Sequence, residues 1–427
     1  MNICVVALGK IGLPLAVQFA SKGHKVIGSD VNRRVVDAVN DGAEPFPGEH
    51  LLAEKLKSTV TAGHLSATTD TAAAVAQADA VVVVVPLFVD AEGVPDFTWM
   101  DEATQAIAAG LKPGTLVSYE TTLPVGTTRE RWAPMLEAGS GLTVGEDFHL
   151  VFSPERVLTG RIFADLRRYP KLVGGVDAAS AAAGTAFYEA VLDFDEREDL
   201  PRPNGVWDLG TAEAAEMAKL AETTYRDVNI GLANQFARFA DLHGLDVMKV
   251  VEACNSQPYS HIHRPGIAVG GHCIPIYPQM YLWNDPQATV VRAAREANRA
   301  MPAYAVDVLA AACGDLEGTS VLVLGASYRG GVKETAFSGV FPLVASLRDK
   351  GARPFVADPM YTPAELDAEG LPAYRGETVT AAVVQADHDE YRGLTPSDLP
   401  GVTVLLDGRR VTDPDAWTGH RHIVLGG

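Results

Sequence analysis

Residues Gly270–Pro278 read "GGHCIPIYP", one cysteine set among two glycines, a histidine and two prolines. Such a segment suits neither a helix interior nor a central strand. Glycines permit unusual dihedrals and close ligand approach, and prolines stiffen the backbone after the thiol. A nucleophilic thiol needs this kind of fixed, partly open seat. A packing cysteine needs none of it, as Cys4 inside its apolar strand illustrates. Two other readings stand beside catalysis: plain packing, and a metal site with His261, His263 or His272. The histidine spacings fit no standard zinc pattern and no second cysteine is near, so no metal is expected.

A second chemical signal lies at the start of the chain. In "VVALGKIGLPLA", Ala7, Gly9 and Gly12 occupy a G-x-G-x-x-G frame with alanine in first place. The turn joins a strand-like run to a helical one, the context a pyrophosphate-binding turn requires. Gly9 would let the backbone approach a ligand, and Gly12 would let the helix pack on the sheet. Asp30 ends the next strand, where a carboxylate accepts both ribose hydroxyls and repels a 2′-phosphate. NAD is therefore expected over NADP, with Arg33 and Arg34 on a solvated helix face.

These groups need elements to position them. Strand-like runs at 80–86, 115–120 and 149–154 alternate with helical stretches, predicting an α/β domain with a parallel sheet over 1–203. Residues 208–243 read as one long helix ending at Gly244. Met217, Ala221, Thr224, Val228, Leu232, Phe236 and Phe239 recur at helical spacing, with Glu216, Lys219, Thr223 and Arg226 on another face. A central helical segment, 204–313, carries the cysteine loop. A second strand, glycine turn, helix and Asp-ended strand begin at 319, predicting a Rossmann-like α/β domain over 314–427.

Composition bounds the partners. The chain has 427 residues, 47% hydrophobic and 21% charged, with a net charge of −19. A surface so acidic excludes nucleic acid and anionic membrane as default partners. No apolar run reaches the roughly 20 residues that span a bilayer. The start lacks a signal-peptide pattern, and four scattered cysteines form no disulfide framework, so a cytoplasmic location is expected.

The motifs together resemble the nucleotide-sugar dehydrogenase family, which includes UDP-glucose 6-dehydrogenases and UDP-N-acetylmannosamine dehydrogenases. The resemblance rests on "ALGKIGLPLA", "VPLFVDAEGVPD", "ETTLPVGTT", "SPERVLTGR", "AEMAKLAETTYRDVN", "RPGIAVGGHCIPIYP", "YRGGVKETAFSG" and "DGRR", in family order along nearly the whole chain. It implies a two-step oxidation of a sugar CH₂OH to a carboxylate with two NAD⁺, through a thiohemiacetal and a thioester on Cys273. It implies that Thr122 positions water, that Glu155 does acid–base work, and that Lys219 and Thr223 stabilise the oxyanion. Gly9, Lys10, Ile11, Gly12, Asp30, Pro86, Thr122 and Lys333 would meet NAD. Glu155, Arg156, Lys219, Arg264, Gly270, Arg329 and Arg409 (or Arg410) would meet the nucleotide sugar. A homodimer built on the central helices is also implied, and a product used in polysaccharide synthesis.

Two departures matter. Thr223 stands where many members have Asn, and Tyr277 where many have Asp; "YRGGVKET" is also shorter than usual. They keep two competing expectations in view: an alcohol oxidation that stops at the aldehyde, and a non-catalytic NAD or nucleotide-sugar sensor.

Overall fold

β-branched runs bounded by glycine turns build two large sheets, one in each of two units, Met1–Ala221 and Glu222–Gly427. The computed structural model describes residues 1–90 and 92–427; Ala91, within the motif at 85–96, lies outside them.

The first unit holds strands β1 (Asn2–Val6), β2 (Lys25–Ser29), β3 (Leu65–Thr68) and β4 (Ala80–Val83), a hairpin of β5 (Phe88–Val89) with β6 (Pro95–Asp96), then β7 (Leu116–Tyr119), β8 (His149–Phe152), β9 (Lys171–Gly175) and β10 (Val206–Thr211). Its main sheet runs β10-β9-β8-β7-β4-β1-β2-β3. The chain leaves β1 in both directions, to β2 on one side and β4 on the other. That switch opens a crevice at the carboxyl ends of the strands, where ligands of such sheets bind. Val5, Leu15, Val17, Phe19, Val82 and Val151 form its core. Helix Ala178–Val191 is capped by Asp177, which accepts from the Ser180 N–H, and Phe187 meets Phe19 edge-on at 5.8 Å. Burying each such aromatic side chain contributes about 1.5–3 kcal/mol.

Two expectations need correction here. The sheet is not wholly parallel: β8 and β9 pair antiparallel, with Phe152 opposite Gly174. The reversal starts β9 at the carboxyl end of β8, which brings Lys171 back beside the residues that come after Phe152. And residues 208–211 are strand rather than helix. They pair with β9 through Asp208 opposite Val173, and the long helix begins at Ala212. The first sheet thus takes in residues past 203.

The long helix Ala212–His243 stops where Gly244 takes φ 63°, a left-handed value that glycine adopts freely. Amphipathic helices ordinarily bury the apolar stripe. Here Glu216, Lys219, Thr223 and Asp227 are buried, while Met217, Leu232, Phe236 and Phe239 are exposed.

The second unit's sheet is all parallel: β11 (Ser320–Leu324), β12 (Arg353–Ala357), β13 (Ala381–Val384), β14 (Val404–Asp407) and β15 (Arg421–Val424), in the order β12-β11-β13-β14-β15. Val321, Val323, Val383 and Leu406 face one core, and Leu322, Leu324, Leu405 and Trp417 the other, so both sheet faces are covered. Among the described residues, no helix is long and apolar enough to cross a membrane.

Candidate active site

The nucleotide turn is built as its sequence requires. Ala7 sits at φ 73°, a conformation glycine would take without strain. Its N–H donates to Ser29 O at 2.8 Å, and the Leu8 N–H donates to Asp30 Oδ2 at 2.8 Å. The Asn32 N–H donates to Asp30 Oδ1, also at 2.8 Å, so both carboxylate oxygens are anchored at the end of β2. A Cβ on Gly9 would meet nothing within 4 Å, which leaves its outer side open to a ligand. A Cβ on Gly12 would lie 1.9 Å from Ala7 O. Ile11 precedes the helix Gly12–Ser21, Lys10 is exposed on the turn, and Pro86 is exposed beyond β4. Arg33 pairs with Asp37 at 3.0 Å on the solvated face expected of it. An open glycine flank, a helix N-terminus and a fixed carboxylate together fit a dinucleotide. Gly12→Ala is expected to destabilise the protein by about 1–3 kcal/mol through this clash, with a matching loss of NAD⁺ affinity; calorimetry of the variant measures both.

Beyond β7 and β8 the same unit gathers charged groups. Lys171 Nζ lies 2.6 Å from Glu120 Oε2 and 3.0 Å from Glu155 Oε2. The Tyr188 hydroxyl donates to Glu120 Oε1 at 2.6 Å, and the Arg156 N–H donates to Glu155 Oε1 at 2.7 Å. Lys219, reaching in from the long helix, donates to the Glu155 carbonyl at 2.8 Å. Thr122 is buried two residues after Glu120. Burial, only partly offset by the Lys171 charge, pushes Glu120 up to about 7. For Glu155 burial pulls the same way, but the Lys171 charge and the hydrogen bonds outweigh it and hold the carboxyl below its usual range. Burial works against the Lys171 ammonium, but the two carboxyls win and keep it above the ordinary lysine value.

Sequence reasoning brought Glu155, Lys219 and Thr122 to this place and missed Glu120, Lys171 and Glu216. Glu216 accepts from the N–H groups of Gly126 and Thr128 at 2.6 and 2.9 Å and from the Thr128 hydroxyl at 2.6 Å. It ties the long helix to the loop that carries Thr122. The available signal was a charged residue opening an apolar strand, "KLVGG", and a glutamate opening "ETTLPVG".

In the second unit, Cys273 is exposed on a turn whose carbonyl accepts from the Ile276 and Tyr277 N–H groups at 3.2 and 2.9 Å. That turn opens the helix Tyr277–Asn284. Gly271 takes φ 84°, and a Cβ on Gly270 would fall 2.7 Å from Tyr328 Cβ. The glycines are therefore required by close packing on the loop after β11. Arg295, buried on helix Thr289–Arg299, donates to the Ile274 carbonyl at 3.1 Å and pairs with Asp227 at 2.8 Å. Thr223 is buried one helical turn past Lys219.

The expected substrate residues divide. Gly270, Arg329 and Arg409 converge on Tyr328: Arg329 Nε donates to its hydroxyl at 3.3 Å and Arg409 Nη2 to its carbonyl at 3.5 Å. Arg410 is used elsewhere, donating to the carbonyls of Leu425, Gly426 and Gly427 at 3.2, 3.0 and 3.1 Å. Lys333 is exposed and paired with Glu365, and Arg264 is exposed. Among the described residues, no group of three or more His, Cys, Asp or Glu is placed to hold a metal.

Comparison with known proteins matches three domains in order. The NAD binding domain of the UDP-glucose/GDP-mannose dehydrogenase family fits residues 1–192, its central domain 213–300 and its UDP binding domain 322–414. UDP-N-acetyl-D-mannosamine dehydrogenase of Pyrococcus horikoshii is 33% identical over 422 residues, 96% of each chain. The structure of the UDP-D-ManNAc dehydrogenase from that organism superposes with a TM-score of 0.88 at 30% identity, over 100% of this chain and 99% of the other. A UDP-glucose dehydrogenase from Pyrobaculum islandicum gives 0.83 at 26% identity, over 98% of each chain.

Proposed function

The chain belongs to the UDP-glucose/GDP-mannose dehydrogenase family and is an NAD-dependent nucleotide-sugar dehydrogenase; from that premise we propose that it oxidises C6 of UDP-N-acetylmannosamine from alcohol to carboxylate, with Cys273 as nucleophile. The similarity to UDP-N-acetyl-D-mannosamine dehydrogenases supports the choice of sugar, and the exposed thiol on a glycine-fixed turn supports the nucleophile.

When bound, NAD⁺ would supply the hydride acceptor for both oxidations; Gly9, Lys10, Ile11, Gly12, Asp30 and Pro86 would hold it, and Lys333 is a further proposed cofactor contact. Lys219 sets an ammonium against the C6 oxygen as its proton passes to solvent and the first hydride leaves C6, which gives the aldehyde. A fixed charge of that kind contributes about 10²–10³ in rate. The Cys273 thiol adds to the aldehyde carbon: an S–C bond forms, and the thiol proton passes to the carbonyl oxygen to give the hydroxyl of a thiohemiacetal. Loss of the second hydride from C6, with the hydroxyl proton going to solvent, gives the thioester. Thr122 orients a water, Glu155 takes its proton, and the C–S bond breaks to return the thiolate and release the uronate. Thr223 donates to the oxyanion with a shorter reach than Asn. Arg156, Arg264, Gly270, Arg329 and Arg409 hold the nucleotide sugar.

On this reading residues 1–203 bind NAD, 204–313 carry the cysteine loop and the dimer contact, and 314–427 bind the nucleotide. The exposed stripe of Leu232, Phe236, Phe239 and Leu242, the last 81% exposed, is the face a second copy covers in a homodimer. Four unpaired cysteines fit work in the reducing cytoplasm.

A second reading, oxidation that stops at the aldehyde, is favoured by one observation: the neutral phenol of Tyr277 opens the helix after Cys273. Counting NADH per sugar across UDP-N-acetylmannosamine, UDP-N-acetylglucosamine, UDP-glucose and dTDP-glucose decides between them. Two NADH per UDP-N-acetylmannosamine, at a kcat/KM at least about tenfold above the others, is the expected result. One NADH supports the aldehyde reading, and binding without turnover a sensor.

A further inference from the structure

Two buried carboxyls flank the buried Lys171 ammonium at the carboxyl ends of β7 and β8. The Glu120 side chain is fully buried, Lys171 is 5% exposed and Glu155 is 11% exposed. Were both carboxyls ionised, the trio would carry a net negative charge out of water, which is costly. The group that keeps its proton is the one with less access to solvent, Glu120. Tyr188 fixes Glu120 from behind, and Ser118 in turn hydrogen-bonds the Tyr188 hydroxyl at 2.7 Å. The antiparallel return of β9 is what sets Lys171 against Glu155.

Resting on the reading of Glu155 as the acid–base residue, we propose that Glu120 and Lys171 are positioning residues that hold the Glu155 carboxylate ionised and aimed. With Glu120 neutral, the Lys171 charge is left to Glu155 alone, which is then an anion ready to take a proton from water. The groups facing Glu155 are Lys171 from β9, Glu120 after β7, its neighbour Arg156, Lys219 at its carbonyl, and Asp165 and Tyr169, which line the small cavity beside it. Lys171 bonds the carboxylate directly, at 3.0 Å.

The test is the acidic limb of the kcat/KM profile with NAD⁺ and UDP-N-acetylmannosamine. The apparent value belongs to the carboxyl pair rather than to either member. Glu120→Gln removes the competing carboxyl and is expected to move the limb down in pH. Lys171→Gln removes the cation and is expected to move it up by about one pH unit, with kcat down at least about tenfold. Lys171→Arg is expected to restore most of both. A merely structural role would lower activity without moving the limb in opposite directions. Should Lys171→Gln fail to fold, the near-isosteric Glu120→Gln and the Lys171→Arg rescue carry the test. Limbs that stay in place, or move the same way, overturn the proposal while Glu155→Gln remains inactive. A fully active Glu155→Gln would instead overturn the acid–base reading on which it rests.

Discussion

Cys273→Ala will leave nucleotide-sugar binding intact and reduce uronate formation by about 10³ or more, the scale on which loss of a covalent nucleophile is felt. The other cysteines do not substitute. Cys4 is buried in β1 and pushed up to about 12 by burial, and burial also raises Cys313. Cys273 is the exposed one. Its backbone is held by the turn into the helix Tyr277–Asn284, so a methyl in place of the thiol disturbs little else. Calorimetry with UDP-N-acetylmannosamine should give a Kd within about threefold of the parent, and mass spectrometry of a quenched parent reaction should find the acyl group on the Cys273 peptide. A variant that makes uronate at the parental rate would end the covalent proposal.

Arg295→Met is expected to cost about 3–5 kcal/mol of stability, because it strands the buried Asp227 carboxylate. Asp227 also accepts from Asn298 Nδ2 at 2.8 Å; Asn298 Oδ1 accepts from Asn234 Nδ2 at 2.8 Å, and Asn234 Oδ1 accepts the Gly266 N–H at 2.9 Å. The network therefore grips the cysteine segment at Gly266 and at Ile274. Burial holds Asp227 up to about 6 even with the Arg295 charge opposing it. Removing both charges, as Asp227→Leu with Arg295→Met, should recover much of the loss, since a paired buried charge is costly mainly when half of it is deleted. Urea denaturation of the single and double variants measures this. Faster alkylation of Cys273 in Arg295→Met would report the released carbonyl. Equal losses in single and double variants would show that packing, not charge, holds the segment.

What could be read before folding was whatever is local in the chain. The turn at Ala7–Gly12 and the cysteine loop carry their geometry in glycines and prolines a few residues apart, and Asp30 comes next, at the end of the second strand. The long helix was legible as an element but not in its orientation. Period shows that two faces differ in polarity, and nothing in it says that the polar one, with Glu216, Lys219 and Asp227, is the face that other groups cover. The later part of β10, residues 208–211, reads as helix because Asp208 and Gly210 weaken a strand signal that only pairing with β9 supplies. Glu120, Lys171 and Tyr188 were invisible as a set. They stand on separate elements, and the reversal between β8 and β9 that joins them is a property of the sheet.

The anchoring of Asp30 limits how this dehydrogenase could be retuned to a phosphorylated cofactor. A designer would ordinarily replace that acid with a small or basic residue. Here its two oxygens also close the backbone of the glycine turn at Leu8 and of the next helix at Asn32, so the exchange would leave two amide groups without acceptors. With Asp30 as the proposed ribose contact, selectivity and loop integrity would share one side chain, and a redesign would have to rebuild both together.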